Sequence, residues 1–402
     1  MSEAMSILVC PETMELAGSQ LNAIELAKGV QDRGHRVVLF GRDGDLVPLA
    51  RDLGLEFILA PPSAGVRLWA NATELIEVVR SRNIGLVHGY ERGPSLELAF
   101  GPHLRWSTPL VITVQAMSVA SELPRHVPLI VGTEELAQRQ RRKGYQHVEL
   151  LEPPIDLNAN RPGIAGGCAA RAGFGFGAQD IVVVIVGRLT DELDKLAGVE
   201  AAMAGVGRLT RRAAVRLLVV GGGQGEARVR ALAAEVNRHA GRPVVTVAGQ
   251  LLDPRAAYDC ADIVVGMGGS ALKGLAFGKP VVVVGASGFV RLVEETSAAT
   301  FLFNGWYGHG EGSGYVDELE RVLHALIEDA HLRVRLGNYG LGVLVPRFAL
   351  TGAIERQIDM YRAAIRAPAG GVARLRGLAR SAQAVARGRV RRAPNPQQDL
   401  SD

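Results

Sequence analysis

The first 155 residues alternate short apolar runs with stretches of mixed polarity. Residues 7–9 form an apolar run, a turn follows at Gly18, an apolar stripe with helical spacing extends to Gly34, and residues 37–40 are apolar again. This order predicts a strand, a helix and a parallel strand. Further apolar runs lie at residues 86–87, 110–114 and 129–131. Unbroken apolar runs are typical of parallel strands that are covered on both faces.

The same pattern resumes after a proline- and glycine-rich passage at residues 152–167, which is the expected hinge. Apolar runs that lead into glycines lie at residues 181–186, 215–220, 244–247, 263–265 and 281–284. We therefore predict an α/β chain with two Rossmann-like, doubly wound domains that face a cleft. The domains are expected at residues 1–155 and 170–345, and a helix at residues 350–366 could cross back to the first domain.

The positive charge of the chain is concentrated at its C-terminal end. The net charge is +4, but residues 369–402 hold seven arginines against two aspartates, so this segment carries +5 and the remainder carries −1. The rest of the chain therefore has no excess of positive charge with which to bind nucleic acid. We expect an Arg-rich, loosely ordered tail. The alternative is a helix that lies on a membrane, with Val372, Leu375, Ala379, Ala382 and Ala386 along one side.

Composition otherwise favours a cytoplasmic nucleotide-binding protein. Hydrophobic residues make up 48% of the chain, and 49 glycines suit strands and helices joined by tight turns. The three cysteines are scattered without metal-ligand spacing, so neither a disulfide framework nor a metal site is expected. No apolar run approaches the roughly 20 residues that span a bilayer. The first residues carry acid rather than the basic region of a signal peptide, so we expect a cytoplasmic protein.

Two cations follow the first strand of the second domain. Gly187 and Arg188 end the run 181–186, and Lys195 lies seven residues after Arg188. This pair could grip a diphosphate at a strand end, or it could be an ordinary surface pair. The glycine-rich turn at residues 221–225 lacks the lysine and hydroxyl residue of a P-loop, so a plain strand-to-helix turn and a phosphate contact both remain open.

A second glycine-rich segment follows the run 263–265. Gly266, Gly268 and Gly269 lead toward a predicted helix for which Ser270 is a suitable N-cap. Lys273 would then occupy the first turn, where a cation opposes the helix dipole unless an anion is bound. Lys273 is therefore a candidate phosphate contact, and the alternative is a lysine that extends into solvent. A dinucleotide fingerprint is absent, because the first domain offers only Gly18 where GxGxxG is needed.

Several of these segments together resemble the GT-B glycosyltransferases of family 4 over most of residues 6–366. They are "ELAKGVQDRGHRV", "VGRLTDELDK", "RLLVVGGG", "VAGQLLDPRAAYDCADIVV" and "GLAFGKPVVV". The resemblance implies sugar transfer from a nucleotide-diphosphate sugar with retention of configuration, and no cofactor besides this co-substrate. It implies that Arg188 and Lys195 bind the donor diphosphate. It also implies that Gly249, Gln250 and Leu251 line the base pocket and that Gly18 meets the sugar-phosphate across the cleft.

Two motifs differ from the family pattern. The paired glutamates of the family, eight positions apart, fall on Val265 and Lys273, and the His-x-His of the first domain appears as His88-Gly89-Tyr90. The acceptor-side candidates are therefore His88, Tyr90 and Glu91, which end the run at 86–87. A histidine at a strand end is also a common structural feature.

We interpret the chain as a transferase that needs no metal, because Arg188, Lys195 and helix N-termini can neutralise a departing diphosphate. Its partners would be a nucleotide-sugar donor and a small-molecule, glycan or lipid acceptor, with peripheral contact at the inner face of a membrane through the tail. One alternative is a catalytically degenerate glycosyltransferase that only binds its ligand. Another is a sugar-nucleotide 2-epimerase, which shares the two-domain architecture.

Overall fold

A computed structural model describes residues 3–61, 71–368 and 370–388, apart from the side chain of Cys168. The chain divides into two compact units, Met1–Pro154 with Leu350–Asp402, and Ile155–Ala349. We describe each unit by itself.

Strands within the described ranges are, in chain order β1 to β13, Ser6–Cys10, Arg36–Gly41, Glu56–Leu59, Leu86–Tyr90, Leu110–Val114, Leu129–Val131, Val148–Leu150, Ile181–Val186, Val215–Val220, Val245–Gly249, Ile263–Gly266, Val281–Val284 and Val290–Leu292. Helices within the same ranges, α1 to α16, are Gly18–Asp32, Val47–Asp52, Ala72–Ser81, Arg92–Leu98, Leu104–Trp106, Glu134–Arg142, Gly167–Gly173, Lys195–Leu209, Glu226–Ala240, Arg255–Cys260, Gly269–Ala276, Ala298–Asn304, Tyr315–Glu328, Ala330–Tyr339, Leu350–Arg366 and Gly371–Gly388. Short π-helical turns at Ala99–His103 and Gly340–Leu344 and 3₁₀ turns at Glu192–Asp194 and Val345–Phe348 complete the helical structure of these ranges.

The first unit is built on a parallel sheet with the strand order β3-β2-β1-β4-β5-β6-β7. Successive residues of β1 serve opposite faces: Ile7 and Val9 belong to one buried cluster, and Leu8 and Cys10 belong to another. Helices cover both faces, which is why the strands read as unbroken apolar runs rather than as alternating patterns.

The second unit repeats this plan with the order β10-β9-β8-β11-β12-β13. Its strands are parallel except β13, which pairs antiparallel with β12 at the edge of the sheet. Buried clusters again lie on both faces. The predicted class, an α/β chain with two Rossmann-like domains, is confirmed. The sequence pattern had not predicted β3, β7 and β13, which are only three or four residues long and partly exposed.

Helix α15 fastens the end of the chain to the first unit. Ala353, Ile354, Ile358 and Tyr361 belong to the buried cluster that contains β1 and α1. The two helices approach so closely that a Cβ on Gly29 of α1 would lie 2.1 Å from Ile354 Cδ1. A side chain at position 29 would therefore require the Ile354 side chain to move.

The C-terminal segment differs from the predicted loosely ordered tail. Residues 371–388 form helix α16 instead of loosely ordered chain, despite Gly377 and Gly388. The helix is held because Leu378 and Val385 enter the buried cluster of the first unit. Burial of this apolar face outweighs the low helix propensity of glycine. Residues 389–402, with Arg389, Arg391 and Arg392, lie outside the described ranges.

Replacing Ile354 with alanine should destabilise the first unit. Ile354 is 4% exposed, and loss of a buried isoleucine side chain lowers the free energy of unfolding by about 2–5 kcal/mol. Ile365→Ala on the same helix is the matched control, because Ile365 is 37% exposed and should cost about 0.5 kcal/mol or less. Urea denaturation followed by circular dichroism measures both. Equal effects of the two substitutions would contradict the packing of α15 described above.

Candidate functional site

The carboxyl ends of β8 and β11 border a cavity in the second unit. These strands are neighbours in the sheet although the chain forms β9 and β10 between them, so the chain reverses its direction of travel across the sheet at this point. Ligands of open α/β sheets bind at such a switch point. The polar and glycine residues of the cavity wall are Gly187, Arg188, Lys195, Gly198, Gly266 and Ser270. Five of these six were predicted site residues, and Gly198 was not.

Backbone packing holds the turns that surround this cavity. The N–H of Gly187 donates to the carbonyl of Val220 at 3.0 Å, and the N–H of Gly221 donates to the carbonyl of Gly249 at 2.8 Å. A Cβ on Gly221 would lie 1.8 Å from the carbonyl oxygen of Gly187. The close approach of the two backbones therefore accounts for glycine at position 221 without any ligand.

Arg188 and Lys195 share one carboxylate. Glu192 Oε2 lies 2.6 Å from Arg188 Nη2 and 3.2 Å from Lys195 Nζ. The sequence spacing of seven residues therefore does bring the two predicted cations to one place. Glu192 was not predicted, although its position between the two cations in "GRLTDELDK" was a signal for it. Chemically, the arrangement is a two-cation anion site with a side-chain carboxylate in it.

A strained turn presents Lys195. Leu193 and Asp194 both adopt left-handed conformations, with φ of 57° and 56°, which costs non-glycine residues roughly 1–3 kcal/mol each. The carboxylate of Asp194 compensates by accepting a hydrogen bond from the N–H of Ser287 at 2.8 Å. Lys195 is then the first residue of α8. Burial lowers the pKa of its ammonium group, and Glu192 opposes this shift.

The start of α11 differs from the prediction. Gly268, with φ of 55°, is the N-cap, so Ser270 is already inside the helix and does not cap it. Lys273 consequently lies in the last turn, where the helix dipole favours a cation. It is absent from the cavity wall; hydrogen bonds from Arg255 lower the pKa of Asp253, and the charge of Lys273 adds to this effect. Ser270 does face the cavity, since a Cβ on Gly266 would lie 2.5 Å from its Oγ.

The predicted base-pocket residues follow β10. Gly249 ends the strand with φ of 78°, Gln250 is exposed and Leu251 is half-buried. The Gln250 side chain approaches the neighbouring turn after β9: a Cβ on Gly222 would lie 3.0 Å from Gln250 Oε1. Gln250 thus covers the glycine turn after β9.

In the first unit, His88 and Tyr90 are both buried in the core. His88 Nδ1 lies 2.8 Å from Tyr361 Oη, and His88 Nε2 lies 2.7 Å from Thr113 Oγ1. Burial lowers the pKa of His88 to about 3, so the ring is neutral at physiological pH. Tyr90 packs against His88 with ring centroids 4.5 Å apart. These contacts are structural, and neither side chain is presented to an acceptor.

Glu91 is different, because it stands where β4 ends beside β1, at the switch point of the first sheet. Its backbone is strained, with φ of 57°. The N–H groups of Gln115 and Ala116 donate to its Oε1 at 2.8 and 3.2 Å. Burial raises the pKa of Glu91 to about 7; the Gln115 N–H opposes this rise and nearby Glu12 reinforces it.

Gly18 begins α1 on the same edge of the first sheet. It is exposed, its φ is not in the left-handed region, and a Cβ built on it would meet no atom within 4 Å. The fold of the first unit therefore does not itself require glycine here.

Within the described ranges, no group of three or more His, Cys, Asp or Glu side chains is arranged to hold a metal ion. In the same part of the chain, no helix has the length and apolarity needed to cross a membrane.

One family model matches part of the second unit. The family model described as "Glycosyl transferases group 1" matches residues 180–324. No curated protein sequence matches the chain.

Three solved structures are similar over most of the chain. A glycosyltransferase from Rickettsia africae ESF-5 has a TM-score of 0.71 at 16% identity, with 90% of this chain and 99% of that chain covered. Anabaena HepE, in complex with UDP and glucose, has a TM-score of 0.68 at 17% identity, with 89% and 100% covered. WaaG, a glycosyltransferase involved in lipopolysaccharide biosynthesis, has a TM-score of 0.62 at 18% identity, with 88% and 99% covered. These likenesses establish the GT-B fold type.

Removing the charge of Glu192 should strengthen anion binding. Glu192→Gln frees Arg188 and Lys195 from their shared carboxylate, and an exposed ion pair is worth about 0.2–1 kcal/mol. The affinity for inorganic pyrophosphate, measured by titration calorimetry, should therefore rise about two- to fivefold. Glu318→Gln is the control, because Glu318 pairs with Arg321 away from the cavity. Weaker binding by Glu192→Gln than by the unmodified protein would contradict the two-cation anion site.

Proposed function

We propose that this chain, whose second unit matches the "Glycosyl transferases group 1" model, transfers a sugar from a nucleotide-diphosphate donor to an acceptor hydroxyl group. The observation that carries the proposal is the pair of cations, Arg188 and Lys195, which meet at the switch point of the donor-side sheet. The UDP bound to the structural neighbour HepE supports a nucleotide as the donor's leaving group.

The chemical role of the two cations follows from the charge that develops during transfer. As the bond between the sugar and the diphosphate breaks, negative charge accumulates on the leaving phosphate oxygens. Preorganised cations stabilise this charge without reorganisation. Arg188 offers two parallel N–H donors, and Lys195 offers a compact point charge whose lowered pKa reflects its partly desolvated position. In this proposal the sugar keeps its anomeric configuration and no metal is needed.

The remaining donor contacts come from backbone around the cavity. Gly187, Gly266, Gly268, Gly269 and Ser270 border the phosphate position in this proposal, and Gly249, Gln250 and Leu251 hold the base. In this proposal Gly18 contacts the sugar-phosphate. A Cβ built on Gly18 would meet no atom of the protein within 4 Å, so the protein itself does not occupy the space beside this residue. Lys273 is left out of the phosphate contacts because it lies in the last turn of α11 and outside the cavity wall.

The acceptor contact is assigned to Glu91. Of His88, Tyr90 and Glu91, it is the residue that follows the end of β4, and its Oε1 accepts from the backbone N–H groups of Gln115 and Ala116, whereas side chains of the core contact both ring nitrogens of His88. In the ionised form it accepts a hydrogen bond from the attacking hydroxyl group.

We assign the protein to the cytoplasm and propose peripheral contact with the inner face of a membrane through the C-terminal basic segment.

A thermal-shift panel of nucleotide-diphosphate sugars tests the donor site. A ligand that binds the native state raises its melting temperature, so one donor should produce a shift. Arg188→Ala removes charge-assisted hydrogen bonds worth about 1.5–3 kcal/mol, which weakens that donor roughly ten- to hundredfold. The control is Arg208→Ala, because Arg208 is an equally exposed, ion-paired arginine at the other end of α8. It should bind the donor normally.

The outcomes separate the alternatives. No shift with any donor would overturn the donor site. A shift without turnover of that donor would favour a degenerate binding protein, for which Val265 and Lys273 at the family's glutamate positions are the motivation. A shift followed by epimerised donor in the absence of any acceptor would favour the 2-epimerase. Sugar transfer to a hydroxyl acceptor, lost in Arg188→Ala, is the result we expect.

The pH profile of transfer should report Glu91. With a pKa of about 7, Glu91 is protonated at acidic pH and ionised at alkaline pH, so kcat/KM should rise through pH 7. Glu91→Gln should abolish this rise and lower kcat/KM at pH 8 about ten- to hundredfold, the value of one charge-assisted hydrogen bond. Glu12→Gln is the matched comparison: it removes a charge that raises the pKa of Glu91, so the profile should move to lower pH. An unchanged profile in Glu91→Gln would refute the assignment.

A further inference from the structure

Helix α16 uses only one face to pack on the first unit. Leu378, Ser381 and Val385 are buried on this face. An apolar stripe beside this buried face is exposed, with Val372 at 65% and Leu375 at 58% exposure, and Ala379, Ala382 and Ala386 continue the exposed line. The apolar stripe expected from the sequence is therefore present, and it borders the face that packs on the first unit.

Helix α5 also carries two large exposed apolar side chains. Leu104 and Trp106 are 42% and 45% exposed, and α5 is in contact with α16. The junction is tight: His103, which precedes α5, lies 3.0 Å from His126 through the two Nε2 atoms. A Cβ on Gly377 of α16 would in turn lie 2.0 Å from His126 Nδ1. Leu104, Trp106, Val372 and Leu375 thus belong to neighbouring helices that pack together, and we call these four residues the docking surface.

The charges around the docking surface have one sign. Arg105 is exposed and lies over the Trp106 ring at 4.0 Å. Helix α16 contains no acidic residue, and its exposed arginines are Arg376, Arg380 and Arg387. In the part of the chain that the structure describes, none of these three forms an ion pair. The basic helix α6 is a contrast, because Arg139 and Arg141 pair there with Glu135 and Glu134.

We propose that the docking surface binds the interface of a membrane that contains anionic lipid. Exposed leucine, valine and tryptophan side chains enter the boundary between headgroups and acyl chains, and arginines beside them meet the lipid phosphates. A second copy of the chain fits less well, because two such surfaces would bring exposed arginines of the same sign together. The inference rests on the proposed peripheral contact, for which it names a surface and a lipid chemistry, and it does not depend on the donor site.

The docking surface lies away from the proposed acceptor contact. Helix α5 precedes β5, and His126 precedes β6, so this surface is at the amino end of the first sheet, whereas Glu91 is at the carboxyl end. Loss of membrane binding should therefore leave donor binding intact. The two properties can be measured separately on the same variants.

Sedimentation with lipid vesicles tests the proposal on the full chain. The protein should bind vesicles of phosphatidylcholine with phosphatidylglycerol, and it should bind pure phosphatidylcholine much more weakly. Leu104→Ser with Trp106→Ser should weaken binding at least about tenfold, although no tail charge changes. Arg376→Glu with Arg380→Glu and Arg387→Glu should weaken it about 100-fold or more. The matched controls lie in the second unit and should bind normally: Val334→Ser with Val343→Ser, and Arg211→Glu with Arg212→Glu and Arg238→Glu.

Each outcome decides one question. Normal binding by the α5 double variant, with its thermal melt unchanged, would overturn the docking surface while leaving peripheral contact through the basic segment in place. Failure of the unmodified protein to bind either vesicle would overturn both. A dimer in analytical ultracentrifugation that the α5 variant loses would identify a second copy as the occupant and also overturn the proposal. The donor thermal shift should persist in every variant, and its absence would count only against the donor site.

Discussion

Contact between backbones at the carboxyl ends of β8, β9 and β10 is the constraint on which the candidate site depends. The turn after β8 donates to the end of β9, and the turn after β9 donates to the end of β10. Because a Cβ at position 221 would lie 1.8 Å from the Gly187 carbonyl oxygen, this contact is possible only with glycine. It determines where Gly187 lies, and hence where Arg188 leaves the sheet. The cavity at the switch point follows from this arrangement.

Electrostatics at the cavity is balanced by the chain's own residues. Two cations close together repel each other, and Glu192 reduces the repulsion by contacting both. Lys195 is held by a left-handed turn whose strain is offset by the hydrogen bond from the Ser287 N–H to Asp194. An incoming diphosphate would replace one carboxylate with more negative charge, so the cations are already positioned for an anion before it arrives.

The first unit shows how a motif position can change its role. His88 occupies a family motif, but Tyr361 of α15 and Thr113 of β5 contact its two ring nitrogens. The side chain thereby joins β4 to the helix that returns from the end of the chain. Glu91 follows this strand at the carboxyl edge of the sheet, where burial and the neighbouring Glu12 carboxyl raise its pKa to about 7.

Local pattern was sufficient wherever burial on both faces makes a strand continuously apolar, as in β5, β8, β9 and β12, whose bounds match the apolar runs. The sequence by itself thus determined the fold class and the meeting of Arg188 and Lys195, because both residues lie in the short connection between one strand, β8, and the helix that follows it. Only the tertiary structure decided the rest. Whether Gly268 or Ser270 begins α11 depends on a backbone conformation that glycine permits but does not require, and this placed Lys273 outside the cavity. Helix α16 exists because its apolar face meets the first unit, and it contacts α5, which lies far earlier in the chain, through packing that no local pattern contains.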